Sequence, residues 1–297
     1  MKRGPGLKHL APVTSAPAAR LGMSRLLVGG FTLAYLGLQR KTLRRVVRTH
    51  TEHFAPVGPV KILRRPMRPQ TADALNDATL VSAALFTLGV GHRLTGPLHS
   101  ALLTWTTSYR NSWSMIYHTD NTLVAHTVVL AASPAADALS LSALRRGTKP
   151  ADHPRYAWAL QLMNAVPAVA YLLAGIAKLA QPRGWTWARG DAMRRQVAID
   201  GIRKEVYGSR VAPAAYALYP HRRLWTAAAI GTLVLELGAP VALVLNRRLG
   251  RLWALSMFGM HWGVEIVMGI HFPYQLSGIS FAAWFDLERV LRIVRRR

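Results

Sequence analysis

A lysine stands inside the last turns of a long apolar segment, in the stretch YLLAGIAKLAQPRGW (residues 171–185). Burial in an apolar site disfavours an ammonium, so a lysine held there can become a neutral amine and act as a base. The chain turns polar directly after Ala180, so Lys178 can also extend its ammonium to a membrane surface as an anchor. The residues alone leave both roles open.

Other ionisable side chains within apolar segments include Glu236, His126, His261 and Glu265. Charged groups at membrane depth are costly and usually serve a function. His261 and Glu265 are four residues apart and share one helix face, where the carboxylate either orients the imidazole for chemistry or simply satisfies it. His126 has apolar neighbours and is predicted to be a satisfied core histidine.

The stretch YHTDNTLV opens another apolar segment with three polar side chains. Asp120 and Asn121 have the residue types of helix N-caps, and we predict that role for them. His118 is less easily explained as a cap. It is either a site residue or an interfacial histidine with its tip in water.

Pro167 and Pro240 are two of the prolines that fall inside apolar segments. Pro167 removes the helical hydrogen-bond partner of the Met163 carbonyl, and Pro240 does the same to the Glu236 carbonyl. Each freed carbonyl marks either a polar niche beside an ionisable side chain or an ordinary helix kink.

The composition of the 297-residue chain bounds its class. With no cysteine, a disulfide framework, a zinc-thiolate site and thiol catalysis are excluded. No HExxH motif indicates a metal site. The net charge is +25 and 51% of the residues are hydrophobic, but the basic residues lie between long, nearly uncharged stretches. This pattern is typical of a multispan membrane protein with basic inner loops rather than of a nucleic-acid-binding protein.

Apolar length predicts an all-α, polytopic integral membrane bundle of about six to seven spans. The expected spans are Leu21–Leu38, Ala74–Gly91, Gly96–Tyr109, Thr122–Ala138, Tyr156–Ala180, Trp225–Leu245 and Leu249–Ile270. Tyr274–Phe285 is short for a span, and Leu21–Leu38 is either a first span or an interfacial helix; no cleavable signal is evident. We divide the chain into a polar basic tail (1–20), a first segment with a basic loop (21–70), a transmembrane domain (71–286) and a basic C-terminal tail (287–297).

Two long loops, Gln39–Pro69 and Pro182–Arg223, are rich in arginine and lysine. Four predicted spans separate them, so both can face the cytoplasm of a plasma (inner) membrane, as the positive-inside rule expects. Short helices are expected within Pro182–Tyr219.

Three segments resemble a known family. YLLAGIAKLAQPRGWTWARGDAM is similar to a helix-end motif of the vitamin K-dependent gamma-carboxylases, and more specifically of their bacterial relatives, the horizontally transferred transmembrane (HTTM) proteins. SYRNSWSMIYHTDNTLVAHTVVLAASPAADALSL resembles the family's histidine-bearing span entry. LVLELGAPVALVL, followed by FGMHWGVEIVMGIHFP, resembles its acidic and histidine-bearing spans. The resemblance covers roughly Thr71 to Phe285.

The resemblance implies roles for individual residues. Lys178 matches the catalytic base, His118 the histidine that stabilises a reaction intermediate, and His261 a polar position of the intramembrane core. The implied cofactor is a reduced naphthoquinone, either menaquinone or a vitamin K-like compound. Its expected contacts are Glu236, Glu265 and Trp185, and no metal is expected. We expect Lys178, His118 and His261 to bound one cavity, with Glu236 nearby.

The carboxylases also carry a large extramembrane region that binds the protein substrate, and no such region is readable here. Carboxylation of glutamate is therefore not expected, whereas quinol-linked base chemistry is. Two function classes remain. The first is a membrane enzyme, either a quinol-dependent oxidoreductase or a carboxylase-like lyase, that acts on a quinol or another lipid-soluble substrate. The second is a non-catalytic membrane module for transport or partner assembly. Neither class involves nucleic acid.

Overall fold

A computed structural model describes residues 15–147, 152–211 and 213–290. Helices and turns account for the regular structure in these ranges, which contain no strand. An isolated bridge joins Ala16 to His153. The all-α class predicted from the sequence is therefore confirmed for the described part of the chain.

The helices follow one another along the whole sequence. They are α1 (Ala18–Val46), α2 (Pro69–Leu88), α3 (His92–Asn111), α4 (His118–Ala131), α5 (Leu141–Arg146), α6 (Pro154–Leu179), α7 (Asp191–Val206), α8 (Pro213–Leu218), α9 (Arg222–Leu237), α10 (Ala239–Val244), α11 (Arg247–Met268) and α12 (Pro273–Leu276). Short 3₁₀ turns lie at Thr51–His53, Gly58–Ile62, Gly184–Arg189 and Ile279–Trp284. The short helices expected within Pro182–Tyr219 are present as α7 and α8.

Three predicted segment ends differ from the helices. The segment expected to end at Ala138 stops as a helix at Ala131, because Pro134 follows and cannot continue the hydrogen-bond ladder. The segment Trp225–Leu245 is divided at Gly238 into α9 and α10, two residues before Pro240. The α3 helix is longer than its apolar stretch, since its first and last turns are polar.

A tight turn at residues 89–91 joins α2 to α3. Gly89 and Gly91 both have positive φ, +66° and +54°, so the turn uses two left-handed residues. A side chain at Gly89 would collide with Ser140, since a Cβ there would lie 2.5 Å from the serine Cβ. Glycine is thus required at this position by both conformation and packing.

Two helices of the described part are long and apolar enough to cross a membrane, α1 and α6. Their most apolar windows have mean hydropathies of 1.4 and 1.6. Length and composition alone give this result, and a buried core helix passes the same test.

The described chain forms two compact units. The N-terminal unit comprises residues 15–163 and 285–290, and the C-terminal unit comprises residues 164–284. In the N-terminal unit, α1 packs on α2 and α4, α2 packs on α3, and α3 packs on α4. In the C-terminal unit, α11 contacts α7, α8, α9, α10, α12 and the 279–284 turn.

A buried arginine ties the elements of the N-terminal unit together. The Arg25 guanidinium on α1 donates to the carbonyls of Phe86 and Thr87 at the end of α2, and to those of Ala135 and Leu139 in the turn after α4. Main-chain carbonyls at helix ends lack intrahelical donors, so this side chain satisfies several of them at once. Arg25 therefore fixes where α2 and α4 end relative to α1.

Candidate functional site

Lys178 and Glu236 form an ion pair in the C-terminal unit. Nζ of Lys178, near the end of α6, lies 2.6 and 2.8 Å from the two carboxylate oxygens of Glu236 on α9. The glutamate side chain is only 5% exposed, whereas the lysine side chain is 24% exposed. The pair thus has a buried carboxylate and an amine that remains accessible from one side.

Gly175 explains how α9 comes close enough to form this pair. A Cβ at Gly175 would lie 3.0 Å from Cβ of Glu236 and 3.0 Å from Cδ2 of Leu237. Gly175 and Lys178 are three residues apart and share a face of α6. Gly175 in the AGIAK stretch therefore allows α9 to pack closely against α6. Lys178, one turn later, then reaches the Glu236 carboxylate on α9.

An indole covers the amine. Nζ of Lys178 lies 5.2 Å from the ring centroid of Trp187, within the range of a cation–π contact. Trp187 belongs to the 3₁₀ turn that starts at Gly184, where a side chain would lie 2.1 Å from the Leu179 carbonyl oxygen. Trp185, the tryptophan that we expected at the site, is 76% exposed. In the structure, Trp187 is the tryptophan that contacts Lys178.

His261 lies in the same unit and joins a second residue on α6. Its Nδ1 is 2.8 Å from the Met257 carbonyl one turn earlier on α11, and its Nε2 is 3.2 Å from the Tyr171 hydroxyl. A carbonyl only accepts, so Nδ1 carries a proton, and in the neutral ring Tyr171 donates to Nε2. Tyr171 and Lys178 are seven residues apart, so both lie on one face of α6.

Aromatic rings surround Tyr171 and His261. Tyr171 stacks on Phe281 with centroids 6.3 Å apart and planes at 20°, and it meets the edge of Trp253 at 5.9 Å. We call this group the aromatic cluster; its members are Tyr171, Trp253, His261, Phe272, Phe281 and Trp284. The Trp253 indole donates to the Leu235 carbonyl, next to Glu236, so the cluster is anchored to α9.

Glu265 is one turn beyond His261 on α11. Its Oε2 lies 3.2 Å from Nδ1 of His271, and both side chains are partly exposed. The helix ends three residues after Glu265, at Met268. Glu265 therefore belongs to the C-terminal end of α11, and its predicted role as a quinol contact stays a prediction.

His118 belongs to the N-terminal unit, where it is the first residue of α4 and is exposed. Its predicted grouping with Lys178 and His261 in one cavity stays a prediction. The described residues contain no cluster of three or more histidines and acids that could hold a metal ion.

The predicted N-cap role of Asp120 and Asn121 is wrong. The cap position of α4 is Tyr117, which makes no side-chain cap bond, and both residues lie inside the helix. Asp120 is buried, forms a salt bridge with Arg110 on α3 and accepts from the Tyr35 hydroxyl at 3.2 Å. A carboxylate in the first turn of a helix interacts favourably with the helix dipole. Here the Asp120 carboxylate also pairs with the buried guanidinium of Arg110.

Arg110 is the centre of this second ion pair. Its guanidinium donates to the Tyr35 hydroxyl at 2.9 Å and to Oε1 of Gln39 at 2.6 Å, both on α1. It also faces the rings of Tyr35 and Tyr117, with centroids 5.3 and 5.1 Å away. The network therefore joins α1, α3 and α4.

His126 confirms the prediction of a satisfied core histidine. It is fully buried, and its Nε2 lies 2.9 Å from the Met163 carbonyl. That carbonyl is the one whose helical partner Pro167 removes. His126 therefore lies within hydrogen-bond distance of a carbonyl that has no helical partner.

Sequence reasoning did not single out Tyr171, Trp187, Arg110 or Tyr35. Tyr171 could have been found, because it precedes Lys178 by seven residues on a helix. Arg110 stands at the end of an apolar run, where an arginine is normally an anchor, so its pairing leaves no local signal.

No protein-family model, curated protein or solved structure matches this chain.

Proposed function

We propose that this chain is a polytopic membrane protein of about six to seven spans, similar to HTTM proteins, and that its Lys178–Glu236 pair takes a proton from a lipid-soluble quinol. In this proposal the two long basic loops face the cytoplasm of the plasma (inner) membrane. The bilayer and the quinol are its partners.

Exposed apolar side chains support the membrane assignment. Besides α1 and α6, which have the length and hydropathy of spans, α9 and α11 expose large aliphatic side chains. Leu173 on α6, Val234 on α9 and Leu252 on α11 are each at least 60% exposed. Such side chains on several long helices favour a lipid environment over water.

The observation that carries the chemical proposal is the lysine held by both oxygens of a buried carboxylate while its amine stays accessible. At 2.6 and 2.8 Å, a proton can pass between the two groups without movement of either helix. In this proposal the shared proton rests on Glu236 when the quinol binds, which leaves Lys178 as a neutral amine. That amine then accepts a proton from an acidic O–H placed beside it.

The residues around the pair fit a flat apolar ring that carries hydroxyls. Trp187 covers the amine, and the aromatic cluster begins two helical turns earlier on the same face of α6. A reduced naphthoquinone such as menaquinol or vitamin K hydroquinone supplies the acidic O–H and, with dioxygen, the redox chemistry. Lys178 and Glu236 hold and move the proton, and the His261–Tyr171 hydrogen bond holds the α6 face in place.

The same ion pair also favours the second candidate, a non-catalytic membrane module. Both oxygens of Glu236 bond to one amine, so the pair ties α6 to α9 without any substrate. This role needs a positive charge at residue 178 but not a removable proton.

Lys178→Arg separates the two candidates, because arginine keeps the charge and the pairing but does not give up a proton near neutral pH. The measurement is oxygen-dependent oxidation of a reduced naphthoquinone by the purified chain in nanodiscs. Under the quinol proposal, Lys178→Arg folds normally and loses about 10²–10⁴-fold in turnover.

The matched control is Lys204→Arg. Lys204 lies in the same unit, pairs with Asp200 at 2.8 Å and is similarly buried. The Lys204→Arg variant should retain the full turnover of quinol oxidation. Equal turnover in wild type and Lys178→Arg contradicts the role of Lys178 as a base, and an inactive wild type favours the non-catalytic module.

A further inference from the structure

A cavity of about 580 Å³ opens in the N-terminal unit, where α1 ends and α2 begins. Its walls include Val47, Met67 and Trp113, and its polar lining includes Arg48, Arg65 and Arg68. The volume is within the range of small-molecule sites. None of these residues takes part in the Lys178–Glu236 pair.

The apolar wall is rigid because it belongs to a packed cluster. Val47 and Trp113 are buried in it, and the Trp113 ring lies 5.2 Å from that of Phe54 and 6.2 Å from that of Tyr109. The Tyr109 hydroxyl accepts from the Met67 amide at 3.1 Å, which fixes the chain that carries Arg65 and Arg68. The cavity is therefore bounded by ordered contacts.

The charge around the cavity is not balanced by the protein. Among residues 39–69, Glu52 is the one acidic residue, against nine lysines and arginines. The two nearby aspartates of α2 are already used, since Asp77 pairs with Arg40 and Arg44, and Asp73 pairs with Arg48.

Within the described part of the chain, Arg65 and Arg68 form no salt bridge, and both are exposed. Two guanidinium groups therefore remain to bind an anion.

We propose that this cavity binds the headgroup of an anionic phospholipid. The phosphate lies against Arg65 and Arg68, and the glycerol and upper acyl carbons lie against Val47, Met67 and Trp113. The position supports a lipid, because the cavity starts one residue after α1, a helix able to cross a membrane. Arginines beside the end of a membrane helix attract anionic lipids, and tryptophan favours the headgroup level. A soluble phosphate would make no use of the apolar wall.

The inference rests on the membrane part of the proposed function and is independent of the quinol chemistry. The test uses delipidated full-length protein in detergent, titrated with phosphatidylglycerol or phosphatidylcholine and read by native mass spectrometry. The variant is Arg65→Gln/Arg68→Gln. Its control is Lys61→Gln/Arg64→Gln, which removes the same charge from the same loop at residues that do not line the cavity.

We expect wild type to prefer phosphatidylglycerol and the Arg65/Arg68 variant to lose about 10-fold or more in affinity for it, while the control loses less than about 3-fold. Equal losses in both variants would mean diffuse attraction to a basic loop and would overturn the site. Equal binding of the two lipids would also overturn it.

Met67→Gln distinguishes a lipid from a free anion. It should weaken phosphatidylglycerol binding, because the wall becomes polar, but leave competition by glycerol phosphate unchanged. Displacement of the lipid by equimolar glycerol phosphate would overturn the lipid assignment. Quinol oxidation by the Arg65→Gln/Arg68→Gln variant should match that of wild type. If the wild-type chain does not oxidise the quinol, the proposed chemistry is contradicted but the lipid site is not. Release of the wild-type chain from membranes by alkaline carbonate would overturn both.

Discussion

The Arg110–Asp120 pair of the N-terminal unit and the Lys178–Glu236 pair of the C-terminal unit are built alike. Each joins a cation on one helix to a nearly inaccessible carboxylate on another. They differ in the cation. Arg110 is also buried and is surrounded by Tyr35 and Gln39, whereas Lys178 is partly accessible and carries an amine, which gives up a proton more readily than a guanidinium does.

That difference separates a structural pair from one suited to proton transfer. A buried arginine on α3 whose partners lie on α1 and at the start of α4 is held in a single arrangement. A lysine with one carboxylate and one open side has two proton positions. A charged pair at depth is therefore not by itself evidence of a catalytic site, and the identity of the cation decides.

The largest effect is expected at Asp120. Asp120→Asn leaves the Arg110 charge buried without a counter-ion, which costs about 3–5 kcal/mol of unfolding free energy. The measurement is thermal unfolding in detergent. Arg110→Met/Asp120→Leu should recover most of the loss, because the double change removes both charges. An unchanged midpoint in Asp120→Asn would show that the arginine is solvated.

A change at Gly175 should act on the other pair through packing. Gly175→Leu forces α6 and α9 apart, costs about 1–3 kcal/mol and separates Lys178 from Glu236. Gly231→Leu on α9 is the control, because a Cβ at Gly231 meets nothing within 4 Å. The control should be neutral or stabilising, since leucine favours helix more than glycine does. Similar losses in the two variants would contradict the close-approach argument.

The hydroxyls beside the two pairs should have smaller effects. Tyr35→Phe removes a hydroxyl shared by Arg110 and Asp120 and should cost about 0.5–1.5 kcal/mol, because the direct ion pair remains. Tyr171→Phe removes the donor to His261 and should cost about the same. Double-mutant cycles check the assignment: Tyr35→Phe should couple to Asp120→Asn, and Tyr171→Phe should not.

The smallest effect concerns a third pair, Arg20 with Glu288, which fixes residues 285–290 to the N-terminal unit. Burial by itself would raise the pKa of Glu288, but the hydrogen bonds and charge of Arg20 outweigh burial and lower this pKa. A carboxyl whose pKa is lowered by folding stabilises the protein above its unfolded pKa, and this contribution is lost as the pH falls through the folded pKa.

Unfolding midpoints measured from neutral pH into the acid range should therefore fall less steeply for Glu288→Gln than for wild type. The difference should be small, because Asp286 lies 2.6 Å from Arg20 and remains its partner. Parallel acid limbs in the two proteins would contradict this account.

The sequence predicted one partnership of the candidate site and missed others, for physical reasons. Lys178 and Glu236 were both found because a charge in an apolar run is rare and costly. The contact of Trp187 with Lys178 was missed, because the local turn, which begins after Arg183 at a φ of +61°, decides which indole faces the amine. A positive φ at a single residue produces no periodic pattern in the sequence from which the turn could be predicted.

The fold, too, was predicted only in part. The class and the existence of the long helices followed from apolar length, but helix ends depended on single residues, such as Pro134 after α4 and Gly238 after α9. Asp120 has the residue type of a cap, but its role depends on Arg110, which packing between α3 and α4 brings to it.

Arg25 has a consequence for biosynthesis. Its guanidinium belongs to the first described apolar helix, α1, and its acceptors are carbonyls that lie 61 to 114 residues later in the chain. When α1 leaves the ribosome none of those carbonyls has been made, so insertion of the lone helix into hydrocarbon would strand a charge. If the chain is a membrane protein, α1 should wait at the bilayer surface or in the translocon until α2 and the 135–139 turn have been synthesised. The first described helix would then reach its final place only after helices that follow it in the chain.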